Sequence, residues 1–203
     1  LIHTRAETGE PYIVNTDRCN EYLPQEQKDL GLSVRQSNLC SEITLPTNEE
    51  RTAVCCLSSV NLEYFDEWKD DELFISDLVT MLDNTLQHFI DNAIRPSLLK
   101  IFQRAGGLDQ CDTLQDFNYH VDLDKKGFTK AAYSAYRERA IGLGAMGFHS
   151  YLQRNGLSFA GVFAASFNHR AFKLIKERAT EASKVLGRDR GEAPDMVGSG
   201  RRN

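Results

Sequence analysis

In the heptapeptide SNLCSEI, residues 37–43, an amide, a thiol and a carboxylate stand at alternate positions as Asn38, Cys40 and Glu42. In an extended backbone alternate residues face one way, so the three would look at a common ligand. Cysteine buries readily, but a carboxylate almost never does without a partner. A mixed face of this kind suits thiol and acid–base chemistry better than it suits a core. The plainer alternative is a half-exposed strand with incidental polar residues.

Other chemistry-bearing positions are fewer. Cys55 and Cys56 are adjacent in the apolar run AVCCLSSVNL, and as strand neighbours they point to opposite faces, so at most one of them can face a site on the side of Cys40. The cysteines at 19, 40, 55, 56 and 111 form no C-x-x-C pair and no histidine stands at ligand spacing, which argues against zinc. IGLGAMG carries Gly142, Gly144 and Gly147 at the spacing of a dinucleotide fingerprint. That fingerprint requires a preceding strand, whereas AAYSAYRERA reads as helix, and small residues for close packing are the simpler account. His88 and His149 read as structural, and Arg201–Arg202 is a weak anion signal.

The elements that would hold these residues follow from periodicity and punctuation. Residues 1 to 8 read as the end of a helix, followed by a turn at Thr8–Pro11 and a short strand at 12 to 15. Residues 20 to 33, broken by Pro24 and Gly31, read as a loop. Strands are expected near 41 to 45, before Pro46, and near 53 to 60. The remainder is mostly helical, with apolar residues at threes and fours from 70 to 103 and an aspartate among 66, 70 and 71 as the cap. Arg95–Pro96 should kink or end that helix. An irregular excursion is expected over 104 to 128, then helices over 129 to 154 and 160 to 186, the last ended by Gly187. No repeat or linker divides the chain, so one unit over 1–203 is expected.

Bulk properties narrow the class. With 203 residues, 41% hydrophobic and 26% charged, the chain can bury a sizeable core without a disulfide framework. A net charge of −5 argues against DNA or anionic membranes as partners. No apolar run is long enough to span a bilayer, and the first residues do not form a signal peptide. The odd number of cysteines, five, suits a reducing, cytoplasmic setting. The chain starts without Met and stops just after a glycine-rich turn, so both ends read as cut.

Several segments together resemble the catalytic large (alpha) subunit of class I ribonucleotide reductase: VRQSNLCSEITLPT, the preceding RAETGEPYIVNTDRCN, the following AVCCLSSVNL, then SAYRERAIGLGAMGFHSYLQ and GEAPDMVGSGRRN. The resemblance covers most of the chain in the family's order. It implies an α/β fold, part of a ten-stranded α/β barrel, seen here as a helix-rich fragment with the catalytic finger loop. Residues 95–128 depart from the family pattern and read as an insertion in this partial barrel domain.

The resemblance also implies roles. Cys40 would be the radical cysteine that, as a thiyl, takes the 3′ hydrogen of a ribonucleotide, an S–H bond being close in strength to an activated ribose C–H. Glu42 would accept the 3′-hydroxyl proton. Asn38, able to donate and accept, would hold the ribose hydroxyls, with Ser41 in the same substrate-binding loop. Cys55 aligns with the second cysteine of the pair that supplies two electrons, its partner lying upstream of residue 1, while Cys56 points away. No cofactor is expected in this chain. The radical would come from a metal-containing small subunit, re-reduction from thioredoxin or glutaredoxin, and ATP or dNTP effectors would bind regions missing here. With the remaining parts of the large subunit absent, the chain alone should be inactive. Two competing readings are a non-catalytic thiol or structural fragment and a dinucleotide-binding oxidoreductase built on GLGAMG.

Overall fold

The computed structural model describes the backbone of residues 1–105 and 130–203, and the side chains of 1–93 and 130–203. The expected excursion and most of the expected insertion at 95–128 lie outside the described residues. Eight α-helices are described: α1 (Ile2–Thr8), α2 (Thr16–Glu21), α3 (Gln25–Asp29), α4 (Phe65–Trp68), α5 (Glu72–Ala105), α6 (Lys130–Glu138), α7 (Phe148–Arg154) and α8 (Val162–Arg190). Two strands, β1 (Cys56–Asn61) and β2 (Ile141–Met146), pair in parallel with Cys56 opposite Ile141. Parallel neighbours need a long crossover, and here it contains α4, α5 and α6.

The sheet has two unlike faces. Paired residues of parallel strands share a side, so Ile141, Leu143 and Ala145 join Val60 against the helices. The other face carries Leu57 and Met146, 56% and 59% exposed, with Gly142 and Gly144 between them. The covered face meets a core of Val60, Leu62, Phe65, Ile75, Val79, Leu152, Phe167 and Ile175. At its centre Tyr151 stacks on Phe167 with ring centroids 3.8 Å apart, and Phe65 meets Phe167 edge-on at 5.3 Å. α5 and α8 pack along each other behind this layer. The carboxylate of Asp71 caps α5, accepting from Leu73 N at 2.9 Å, as one of the expected aspartates should.

Several expectations are corrected. The segment 12–15 is not a strand: it is irregular, with Tyr12 and Ile13 61% and 65% exposed. Nor is 41–45 a strand. Neither pairs with a neighbouring strand among the described residues, and strand propensity without a ladder leaves irregular backbone. The loop expected over 20–33 holds the end of α2 and all of α3. Arg95–Pro96 does not end α5, which continues to Ala105 through good helix formers.

The helix expected over 129–154 is interrupted by β2, because Ile141–Met146 is drawn into pairing with β1. α8 runs past Gly187 to Arg190 and ends at Gly191, in the positive-φ region. Gly187 has another purpose: a Cβ there would collide with the carbonyl oxygen of Gly200. It lets the segment 200–203 lie against α8, where Arg202 N donates to Ser183 O at 3.1 Å. Among the described residues, no helix is long and apolar enough to cross a membrane.

Candidate active site

Residues 34–46 form a finger whose base is pinned. Val34 is buried, and the Asn20 side chain clasps its backbone, donating to Val34 O at 2.9 Å and accepting from Val34 N at 2.7 Å. Thr47 N donates to Ser33 O at 3.4 Å, and Pro46 is fully buried. Asn20 lay in a segment expected to be loop, and nothing in its sequence context announced this clasp.

The tip is a turn, not the extended strand that alternation implied. Ser41 N donates to Asn38 O at 3.1 Å, and Ser41 itself has φ 62°, in the left-handed region a serine rarely occupies. Asn38 and Glu42 still meet, by a different route: the turn folds them together, and Asn38 Nδ2 donates to Glu42 Oε1 at 2.6 Å. Asn38 Oδ1 accepts from Ile43 N at 3.1 Å, and Ser37 Oγ donates to Ile43 O at 2.7 Å. The amide therefore orients the carboxylate, and exposed Cys40 sits at the apex between them. A cavity of about 530 Å³ runs along one side of the finger, lined among others by Arg35, Asn38, Ile43 and Arg51.

Cys55 immediately precedes β1, half-buried, with its Sγ 3.4 Å from where a Gly142 Cβ would stand. Burial, followed by the charges of Cys56, Glu138 and Glu42, pushes its thiol up to about 11. The charge of Glu42 on the finger is the smallest of these effects. Cys56 lies elsewhere, packed against the apolar cluster of Leu86, Ile90 and Ala135. The described cysteines at 19, 40, 55 and 56 are free.

The glycines of IGLGAMG do not make a phosphate cradle. Gly142 and Gly144 lie inside β2, where the first would press a Cβ on Leu57 and the second on Ser59. Only Gly147, with φ 74°, sits at the start of α7, and a side chain there would strike Asn61 Oδ1. The fingerprint needs all its glycines in the turn between strand and helix. The dinucleotide alternative therefore loses its physical basis.

Two buried ionic clusters were missed in the sequence. Asp83 on α5 is fully buried and meets Arg139 at 2.6 Å, Arg190 at 2.8 Å and Arg202 at 2.9 Å, with Asn203 Nδ2 donating at 2.9 Å. Arg139 reaches it because its own φ of 47° turns the chain between α6 and β2. Arg51, also buried, donates to Asp195 and, at 3.2 Å, to Glu138 Oε1. Burial, with a further contribution from the charge of Asp195, lifts Glu138 to about 7 against the lowering effect of Arg51 and Ser134. Each residue read singly is an ordinary charge, and only their burial together distinguishes them.

Comparison with known proteins places the chain in a family. The family model "Ribonucleotide reductase, barrel domain" matches residues 1–202. The ribonucleoside-diphosphate reductase large subunit of Invertebrate iridescent virus 3 is 49% identical over 202 residues, covering 100% of this chain and 27% of that protein. The ribonucleoside-diphosphate reductase subunit alpha of Chlamydia trachomatis serovar D is 34% identical over 200 residues, 95% of this chain and 15% of that one. The class Id ribonucleotide reductase alpha subunit of Actinobacillus ureae superposes with a TM-score of 0.78 at 36% identity, covering all of this chain and 33% of its own. The chain thus spans no more than about a third of the length of these relatives. With a mixed α/β fragment covered in full by that structural match and a family model spanning residues 1–202, the chain belongs to the ribonucleotide reductase barrel-domain family.

Proposed function

We propose that this chain carries the catalytic finger of a ribonucleoside-diphosphate reductase large subunit and serves, within a larger assembly, the reduction of ribonucleotides to 2′-deoxyribonucleotides. The observation that carries this reading is the finger tip, where Cys40 stands at the apex of a turn closed by the 2.6 Å bond between Asn38 and Glu42. Cys40, as a thiyl radical, takes the 3′ hydrogen of the substrate ribose. Glu42 accepts the 3′-hydroxyl proton, its position fixed by Asn38, and Asn38 and Ser41 contribute to holding the ribose. Cys55 supplies one of the two thiols oxidised as the 2′ carbon is reduced. The names of the relatives support diphosphates as substrates.

The radical is delivered by a separate metal-containing small subunit, and thioredoxin or glutaredoxin restores the thiols in a cytoplasmic setting. ATP and dNTP effectors act on parts of the large subunit outside this chain. The test is complementation with the rest of the large subunit and the small subunit. Cys40→Ser should abolish deoxynucleotide formation, because an O–H bond is too strong to give up its hydrogen to the incoming radical. The near-isosteric hydroxyl should leave the fold intact. Substantial turnover by the variant would remove Cys40 from the mechanism.

A further inference from the structure

Arg51 stands between Cys40 and Cys55 in the chain, at the end of the turn that returns from the finger. Asn48 and Arg51 close that turn on each other: Arg51 N donates to Asn48 O at 3.3 Å and Asn48 N to Arg51 O at 3.4 Å. The Arg51 side chain is buried. It donates to Asp195 and, at 3.2 Å, to Glu138 Oε1, and it lies over the Tyr133 ring, 5.3 Å from the centroid. The next residue, Thr52, donates its N–H to Lys130 O at 3.3 Å.

These contacts fasten the turn to two other parts of the fold. Lys130, Tyr133 and Glu138 belong to α6, and Asp195 to the 3-10 turn Pro194–Met196. The fastened turn runs into the finger on one side and into Cys55 and β1 on the other. Thr47, Asn48, Arg51 and Thr52 line the same cavity as Ser37 and Asn38 of the finger. Arg51 is not needed merely to balance Asp195, because Arg137 Nε also donates to that carboxylate, at 2.8 Å. A buried ion cluster adds little net stability over apolar packing, whereas its directional bonds favour one arrangement.

We infer that Arg51 is a positioning residue: it anchors the return limb of the finger to α6 and to the 194–196 turn, and thereby holds Cys40 in a set place relative to Cys55. Arg51 acts through the backbone of residues 47–55 and not on a reacting atom. The catalytic consequence rests on the proposed reductase reading, whereas the anchoring does not. Chemistry shared between two thiols and one sugar tolerates little misplacement, and an error of about 1 Å costs on the order of 100-fold in rate. The finger is fixed at its base by Asn20, and Arg51 supplies the hold on the limb that leads to the second thiol.

Arg51→Met alone would strand Glu138 in the interior, so the variant to make is Arg51→Met/Glu138→Gln, in which Asp195 and Arg137 still pair. Amide hydrogen exchange of the chain should show Thr47 and Thr52 exchanging about tenfold faster, with α5 and α8 unchanged. In the complemented enzyme kcat should fall about tenfold or more with KM little changed, because Asn38 and Glu42 keep their own turn while the two thiols lose alignment. Unchanged exchange at Thr47 and Thr52 would show that Arg51 anchors nothing. Loosened amides with an unchanged kcat, or a raised KM with kcat kept, would show that the anchor does not set the reactive geometry. Faster exchange throughout α5 and α8 would mark general destabilisation and would equally overturn the inference. Failure of the reductase reading is recognised separately, by turnover in Cys40→Ser, and leaves the exchange result standing.

Discussion

Replacing Asp83 by Asn should be among the most damaging single changes in this chain. The carboxylate is fully buried, and its counter-charges include Arg139 and Arg202, whose side chains are 5% and 11% exposed. Asparagine keeps the shape but leaves those guanidiniums in the interior without a balancing charge. Breaking a buried ion cluster in this way costs about 3–5 kcal/mol. For a chain of this size that lowers the melting temperature by on the order of 10 °C.

An independent measure comes from pH. Burial alone would raise the Asp83 carboxyl, but Arg139, Asn203 and Arg202 hold it down at about 2, against 3.8 for an ordinary aspartate. A folded-state value below the unfolded one gives stability that is fully present above pH 4 and lost as pH falls through 2. Its size is about 2 kcal/mol, allowing for screening through the more exposed Arg190. Urea denaturation followed by circular dichroism at pH 7, and across pH 5 to 2, would measure both quantities in the wild type and Asp83→Asn. Adding Arg139→Met to the variant should recover part of the loss, because it removes one stranded charge. A loss below 1 kcal/mol at pH 7, or equal acid sensitivity of the two proteins, would refute the reasoning.

Two further outcomes are expected. In a complemented enzyme Cys55→Ser should let hydrogen abstraction begin and then stall, with base release or inactivation, whereas Cys56→Ser should be mild because Cys56 packs against Leu86 and Ile90. The reverse pattern in a turnover and product assay would exchange the two assignments. Gly187→Leu should detach the segment 200–203 from α8 through collision with Gly200, costing roughly 1–3 kcal/mol or more as an overpacked contact. Unchanged stability, with unchanged amide exchange at Arg202, would show that the segment is not held there.

Much of this protein was legible in local sequence. The apolar stripe from 70 onward specified α5, and Asp71 its start, because helical periodicity and capping act within a few residues. The uncharged run AVCCLSSVNL, residues 53–62, marked β1, whereas the finger was implied by the family resemblance and not by the spacing of its triplet. What failed was whatever depended on distant partners. Residues 12–15 and 41–45 have strand-like composition but find no ladder among the described residues, while GLGAM, read as helix, becomes a strand because β1 lies beside it. Asn38 and Glu42 converge through a turn with Ser41 at φ 62°, a backbone choice that their alternation did not reveal. The grouping of Arg51, Glu138 and Asp195 spans up to 144 positions of sequence. Periodicity and composition record which side a residue prefers within its own element. Which charges become buried together is decided only when elements far apart in the chain pack.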